Sequence, residues 1–360
     1  MRVVLLVTDF ERGGTPLRLA RLARGLAARG VEVSAGSLAP RGPVSADLER
    51  DGIATFACDA RGRYDAVALV RLARHLRRLR PDVVHATLTH ANVAARVVGD
   101  WLRVAVVTST ATIEVERRSH LLLERLTAHL DAGHIVNSRA LAQHVAESFL
   151  LAREKIHIVP PLLAPPGRRI ERGAARRRLG VPAEAFAVVW AGRFDPVKRL
   201  EVAIAAVERL AGDPRTWLLI AGDGAQRGAL ERRIRAGPAA ERVRLLGWLD
   251  DLTLLWSAAD AMVFPSRTEG MPNVVLQAMA AGVPVVGSDI PALQELAGDA
   301  PRLVLVAGGA EAFADALERL RRDRAWRCEL ARRGTAWAHA LPSPADAVEA
   351  LVRIYRQVAG

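Results

Sequence analysis

A chain of 360 residues that is 51% apolar and 25% charged has apolar mass for more than one core and too much of it for disorder, so two domains are expected. The only cysteines, Cys58 and Cys328, lie far apart, which excludes a disulfide scaffold or a cysteine-based zinc ribbon and points to a reducing compartment. The net charge of +12 would suit nucleic acid, a membrane surface or an anionic substrate, but only 4% of residues are aromatic, and no zinc-finger, basic-zipper or RNP-like pattern accompanies the charge, so nucleic acid is disfavoured.

The first apolar run, residues 2–7, has the length of a strand and meets Asp9 almost at once. It is too short for a secretory h-region or a membrane span, and a soluble, cytoplasmic protein is expected. A helix over 17–28, a strand over 31–35, a strand over 82–85 and a helix over 92–101 follow. Alternating strand-length and helix-length runs are the mark of βαβ units around a parallel sheet. The alternation stops at Pro160, and residues 160–178 hold two Pro-Pro pairs, a glycine and a basic run, the composition of a linker. It restarts with a strand over 186–191, a helix over 200–210, strands over 217–221 and 260–264, and a helix over 274–281. The expected fold is therefore α/β: two tandem Rossmann-like, doubly wound domains facing across a cleft. They occupy residues 1–160 and 161–341, and a helix within 342–360 is expected to pack back on the first. Open parallel sheets bind ligands beyond the carboxyl ends of their strands, so functional residues belong in the strand-to-helix loops.

Gly13 and Gly14 close the first such loop, ahead of Thr15, Pro16 and an amphipathic helix. Glycines there let backbone N–H groups approach an anion at a helix N-terminus, although an ordinary tight turn uses the same residues. The spacing is neither Gly-x-Gly-x-x-Gly nor a Gly-Lys-Ser/Thr loop, which argues against dinucleotide oxidoreductases and P-loop NTPases. His85 is expected to end its strand and His90 to open the next helix; each alone reads more readily as structural than functional. Neither belongs to a metal-ligand pattern, and no metal is expected.

Residues 192–198, Gly-Arg-Phe-Asp-Pro-Val-Lys, follow a strand and precede a helix. Arg193 offers a bidentate fork and Lys198 a point charge, so one loop presents two cations to one diphosphate. Lys155 and Lys198 are the only lysines in a chain whose other cations are arginine, which points to a specific need for an ammonium at 198. In residues 264–273, Glu269 places a carboxylate directly before a helix start formed by Gly270, Met271, Pro272 and Asn273, where free N–H groups are available. Capping of that helix is the simpler role for Glu269. Asp223, between Gly222 and Gly224, suits a helix cap, and Trp248 suits either a flat base or the core.

In this order the motifs resemble the retaining glycosyltransferases of the two-Rossmann-domain type (GT-B), the family 4 group. Carrying the resemblance are Gly13-Gly14, the segment from His85 to His90, Asn137-Ser138, Gly192-Arg193 with Lys198, Gly222-Asp223-Gly224, residues 269–273 and the stretch 280–286. The resemblance implies that the second domain holds a nucleotide-sugar, UDP- or GDP-linked, as co-substrate with no further cofactor. The first domain would hold a glycan, lipid-linked or small-molecule acceptor. Arg193 and Lys198 would bind the donor diphosphate and Gly14 would approach it through its backbone. His90 would lie near the donor sugar, Glu269 would contact sugar hydroxyls, and Gly270, Met271, Pro272 and Asn273 would supply backbone donors. Gln277 stands where the family carries a second glutamate that accepts from the ribose; an amide still accepts, without charge assistance. The segment 159–162 also departs from the family's frequent Asn-Gly turn.

The implied reaction is metal-independent sugar transfer in cell-surface polysaccharide or glycoconjugate synthesis. The alternatives are a nucleotide-sugar 2-epimerase of similar architecture and a non-catalytic nucleotide-sugar-binding homologue. Arg71, Arg74, Arg77, Arg78 and Arg80 flank a leucine stripe in the first domain and suggest peripheral contact with the anionic inner face of a membrane.

Overall fold

The computed structural model describes residues 1–11, 13–62, 65–112, 118–161, 167–210, 212 and 215–360. The chain divides into two compact units, one formed by Met1–Leu162 with Pro342–Gly360, the other by Leu163–Leu341. Part of the expected linker, residues 162–166, lies outside the described residues.

In the first unit, strands and helices alternate as β1 (Arg2–Val7), α1 (Gly14–Ala27), β2 (Glu32–Ser37), α2 (Pro43–Arg50), β3 (Ala54–Ala57), α3 (Ala66–Leu79) and β4 (Val83–Thr87). The series continues with α4 (Thr89–Leu102), β5 (Ala105–Ser109), α5 (Arg118–Thr127), β6 (Gly133–Val136), α6 (Arg139–Ser148) and β7 (Ile156–Ile158). These strands form one parallel sheet in the order β3-β2-β1-β4-β5-β6-β7. Leu5 of β1 stands in register with Ala35 on one side and His85 on the other. Successive side chains of β1 enter opposite cores: Val3, Leu5 and Val7 join one and Val4 and Leu6 the other, as the period of two requires in a sheet covered on both faces. Each such side chain contributes about 1.5–3 kcal/mol by leaving water.

The second unit runs α7 (Arg172–Leu179), β8 (Phe186–Ala191), α8 (Leu200–Arg209), β9 (Thr216–Ala221), α9 (Arg227–Ala236), β10 (Val243–Gly247) and α10 (Thr253–Ala258). It continues through β11 (Ala261–Phe264), α11 (Asn273–Ala280), β12 (Val285–Ser288), α12 (Pro291–Ala297), β13 (Val304–Val306), α13 (Ala310–Arg322) and α14 (Arg324–His339). Its sheet is again parallel, ordered β10-β9-β8-β11-β12-β13. Two parallel sheets with helices on their faces are the expected tandem Rossmann-like folds.

The last helix, α15 (Pro344–Ala359), starts with a reciprocal Ser343–Asp346 capping box and Pro344 in its first turn. Val348, Leu351, Val352 and Tyr355 lie in the same core as Leu19, Leu22 and Leu26 of α1. In both sheets the order reverses at one place, between β1 and β4 and between β8 and β11. Connections leave in opposite directions there, and the loops after those strands part to form a crevice.

Candidate active site

At the reversal point of the second sheet, the loop after β8 meets the segment after β11. Lys198 from the first donates to Glu269 from the second, Nζ to Oε1, at 2.5 Å. The Glu269 side chain is 6% exposed and that of Lys198 21%, so a largely dry carboxylate is held by one ammonium that still reaches solvent. Lys198 Nζ also lies 5.8 Å from the centre of the Phe264 ring, at the long end of cation–π attraction. Backbone bonds lock the two segments together, with Arg267 N donating to Val197 O at 2.8 Å.

The shape of the 192–198 loop depends on the turn after β9. Phe194 N donates to Asp223 O at 2.8 Å, and Gly222 N to Gly247 O at 2.7 Å. A Cβ on Gly222, whose φ is +147°, would stand 1.8 Å from the Gly192 carbonyl oxygen; only glycine permits that approach. Asp195 turns the chain into the helix by accepting from Val197 N at 3.1 Å. Arg193 is exposed and 3.4 Å from Asp195, which leaves its fork accessible. Asp223 does not cap α9. It accepts from Gly224 N at 2.8 Å and pairs with Arg227.

The start of α11 has no side-chain cap, its N-cap being Pro272. Val275 N donates to Pro272 O at 3.0 Å, so Asn273 and Val274 present N–H groups without a partner inside the helix. Glu269 is not the N-cap of α11, which is Pro272, and its Oε1 is engaged by Lys198. Asn273 and Gln277, four residues apart, share a face of α11, and Gln277 is half-buried. Asn273 Oδ1 and Ser266 Oγ are buried without a hydrogen-bond partner among the described residues, unusual for buried polar atoms. Gly270 is buried and Met271 half-buried in the same segment. Trp248 is 43% exposed and donates through Nε1 to Asp250 at 3.0 Å, so it is not a core residue.

In the first unit, Gly13 is the extended N-cap of α1 and Gly14 its first residue, with no side-chain cap. A Cβ on Gly14 would meet nothing within 4 Å, so the fold by itself does not require glycine there. His90 lies in the first turn of α4, after Leu88, whose φ is +79°, a strained conformation for a residue with a side chain. Its ring stands edge-on to that of His120 of α5, with centroids 4.8 Å apart. The expectation that His85 ends its strand is corrected: β4 continues to Thr87 because Ala86 and Thr87 pair with Leu6 and Val7 of β1. His85 is consequently an interior residue, 3% exposed, with Nδ1 2.5 Å from the Tyr355 hydroxyl. Burial, then the charges of Arg18 and His134, push its pKa down to about 3, so it is neutral at physiological pH.

Reading the sequence also missed a wholly buried ionic cluster. Arg96 of α4, 0% exposed, reaches Glu124 Oε2 at 2.5 Å and Asp131 Oδ2 at 2.7 Å. It also donates to the hydroxyls of Thr108 and Thr127, each at 3.1 Å. Asn92 Nδ2 donates to Glu124 Oε1 at 3.2 Å, which ties α5 to the first turns of α4. Among the described residues, no group of three or more His, Cys, Asp or Glu comes together in a way that could hold a metal ion.

Comparison with known proteins places both parts of the chain in glycosyl transferase families. The family model described as glycosyl transferases group 1 matches residues 185–323, and that of the glycosyl transferase 4-like domain matches residues 13–161. The lipopolysaccharide core biosynthesis glycosyltransferase LpsE of Rhizobium meliloti (strain 1021) is 36% identical over 160 residues, covering 44% of this chain and 46% of that protein. A D-inositol 3-phosphate glycosyltransferase of Stackebrandtia nassauensis is 29% identical over 284 residues, covering 69% of this chain and 62% of its own length. The matches thus span about half to three-fifths of these relatives. The crystal structure of Anabaena HepE in complex with UDP and glucose superposes with a TM-score of 0.80 over 100% of this chain and 98% of that one, at 19% identity; at that identity the likeness concerns the fold.

Proposed function

Because the chain belongs to the glycosyl transferases of group 1, we propose that it moves a sugar from a nucleoside-diphosphate donor, held by the second unit, to an acceptor held by the first. The observation that carries this reading is the Lys198–Glu269 pair at the reversal point of the second sheet. It sets a cation and a carboxylate beside an uncapped helix start, a combination suited to a diphosphate next to a polyol.

Departure of a nucleoside diphosphate builds negative charge on phosphate while the sugar becomes oxocarbenium-like. Lys198, Arg193 and the N–H groups of Asn273 and Val274 stabilise that charge, so the reading is metal-independent. In the free protein Glu269 occupies Lys198; with donor bound, Lys198 turns to phosphate and Glu269 accepts from sugar hydroxyls. The family resemblance assigns the Gly14 backbone to the diphosphate and His90 to the donor sugar. Retention of anomeric configuration follows the family resemblance, and no protein nucleophile is assigned. The UDP and glucose in HepE support a UDP-linked hexose as the first donor to test. The names of LpsE and the inositol phosphate transferase support a place in glycoconjugate synthesis.

The test is calorimetric titration with UDP and GDP, together with a screen of nucleotide-sugars for transfer or slow hydrolysis. Gln277→Glu is expected to keep or tighten nucleotide binding, and Gln277→Ala to weaken it about two- to tenfold, the worth of a neutral hydrogen bond. Unchanged affinity in Gln277→Ala removes the ribose assignment. A sugar epimerised at C2, formed without acceptor, would favour the epimerase, and tight binding without turnover the non-catalytic homologue.

A second observation bears on location. On α3, Arg74, Arg77 and Arg78 are exposed, whereas Arg71 is tied to the Cys58 and Asp59 carbonyls. Arg77 stacks 4.4 Å from the ring centre of Trp101. Trp101 is exposed, as are Val67, Val70, Val97, Leu122 and Leu126 on α3, α4 and α5. No helix among the described residues is long and apolar enough to cross a membrane. The reading is a protein on the cytoplasmic side, resting peripherally on the inner membrane face. At about 1 kcal/mol per cation near an anionic bilayer, three arginines with such an apolar patch hold it reversibly. Flotation with anionic and neutral liposomes at low salt should recover it with the anionic vesicles; equal recovery with both ends the membrane reading alone.

A further inference from the structure

The reversal point of the first sheet has its own polar crevice, which the donor reading leaves unused. Leu5 of β1, His85 and Thr87 of β4, and Thr15, Arg18 and Leu22 of α1 line a cleft of about 10 Å³, space for one oxygen-sized atom. Thr15, Arg18 and Leu22 share one face of α1 by their spacing of three and four. Arg18 is half-buried, and among the described residues it makes neither an ion pair nor a hydrogen bond.

That is not how this chain treats its structural buried arginines. Arg96 is surrounded by two carboxylates, and Arg176 by Asp260 and the Ala183 and Ala258 carbonyls. Even a half-buried charge without compensation carries a desolvation cost, and burial pushes the Arg18 guanidinium below its ordinary pKa.

Facing Arg18 is a second unsatisfied group. His85 Nε2 is buried without a hydrogen-bond partner among the described residues, although its residue is 3% exposed. Burial raises the pKa of Tyr355, which keeps the phenol protonated as a donor toward His85 Nδ1. A neutral imidazole that accepts at Nδ1 carries its proton on Nε2. Among the described residues that line it, the cleft therefore offers a guanidinium, an imidazole N–H and the hydroxyls of Thr15 and Thr87, and no carboxylate.

We propose that this cleft is an oxyanion subsite of the acceptor: Arg18 and His85 Nε2–H receive one oxygen of a phosphate or carboxylate carried by the molecule that is glycosylated. The proposal rests on the transferase reading for the word acceptor, but not for the anion itself. The two sources of such an oxygen, a phosphorylated sugar or polyol and a uronate, share this chemistry.

The test uses the full chain with Arg18→Leu and Arg18→Gln. Without ligand, Arg18→Leu should melt at the wild-type temperature or higher, since an uncompensated charge gives way to an apolar side chain. In a Lys198→Ala background that silences the donor loop, inorganic phosphate should bind about tenfold or more weakly once Arg18 is replaced. UDP affinity, measured with Lys198 intact, should be unchanged by either substitution. Glucose 6-phosphate and glucuronate serve as the two arms and glucose as the neutral control. Wild type should prefer one charged sugar to glucose, and the Arg18 variants should lose that preference.

A lower melting temperature for Arg18→Leu would make Arg18 structural and overturn the proposal. So would equal phosphate binding in variant and parent, or no preference for a charged sugar in wild type. A parallel loss of UDP affinity would assign Arg18 to the donor instead. Failure of both UDP and GDP to bind wild type would refute the transferase reading while leaving the phosphate result to stand or fall alone.

Discussion

Lys198→Ala is expected to lower kcat/KM for the donor by about a hundredfold, and Arg193→Ala by about tenfold. A charge-assisted contact to the departing diphosphate is worth about 1.5–3 kcal/mol. Lys198 stands at the upper end because its ammonium also holds Glu269, whereas Arg193 is exposed and bound only loosely to Asp195. Removing Lys198 strands a buried carboxylate. Breaking a fully buried pair costs about 3–5 kcal/mol, and less here because the Lys198 side chain is 21% exposed. The double variant Lys198→Ala with Glu269→Gln separates the two effects. It should recover the melting temperature and remain without donor turnover, which denaturation and initial rates at low donor concentration would read. Near-normal turnover in both single variants would sink the diphosphate assignment.

Arg96→Met should be the most destabilising single change in the first unit, at about 3–5 kcal/mol, since it leaves Glu124 and Asp131 buried without their cation. The loss should depend on pH with a definite sign. Burial alone would raise the Asp131 pKa, but hydrogen bonds from Arg96 and His134 and the Arg96 charge outweigh it and hold the carboxyl below its ordinary value. In wild type this contribution is present above the ordinary carboxylate range and is lost as pH falls through the depressed value. In Arg96→Met burial is opposed only by the contacts from His134 and Thr108, the carboxyl pKa rises, and a proton relieves the penalty. The deficit should therefore shrink as pH is lowered from neutral toward about pH 5. Urea unfolding at the two pH values, with hydrogen exchange to place the change in the first unit, measures it. A deficit that is constant or larger in acid contradicts the account.

Both crevices follow one arrangement. Each lies at the single reversal of strand order in a parallel sheet, between β1 and β4 or between β8 and β11, and each gathers side chains from two loops or elements far apart in sequence. The second holds opposite charges that neutralise each other in the free protein. Among the described residues, nothing neutralises the cation that the first holds. A site that meets an anionic partner only when substrate arrives must carry such a deficit in the free state.

Much of this was legible in the sequence. The strands over 2–7 and 186–191 coincide with β1 and β8, because a continuous apolar run bounded by turn residues suits a strand buried on both faces. The loop 192–198 and the segment 264–273 could be read as chemistry because both sit between a strand and a helix. Their residue types, two cations in one and a carboxylate beside a proline-led helix start in the other, are local facts. What tertiary structure decided was which of these groups meet. Lys198 and Glu269 are 71 positions apart, and only the crossover that puts β11 beside β8 brings them together. Strand order depends on packing between elements, which the periodicity of each element does not encode. Tertiary structure also sorted the arginines. With nearly every cation in the chain an arginine, Arg18 and Arg96 look in sequence like any solvated position on an amphipathic helix. Burial distinguishes them, and burial is set by what packs against a helix face: α15 and β4 beside Arg18, α5 and β6 around Arg96. A guanidinium is inexpensive in water and costly without a partner in the interior, so its role was fixed only once the fold had closed over it.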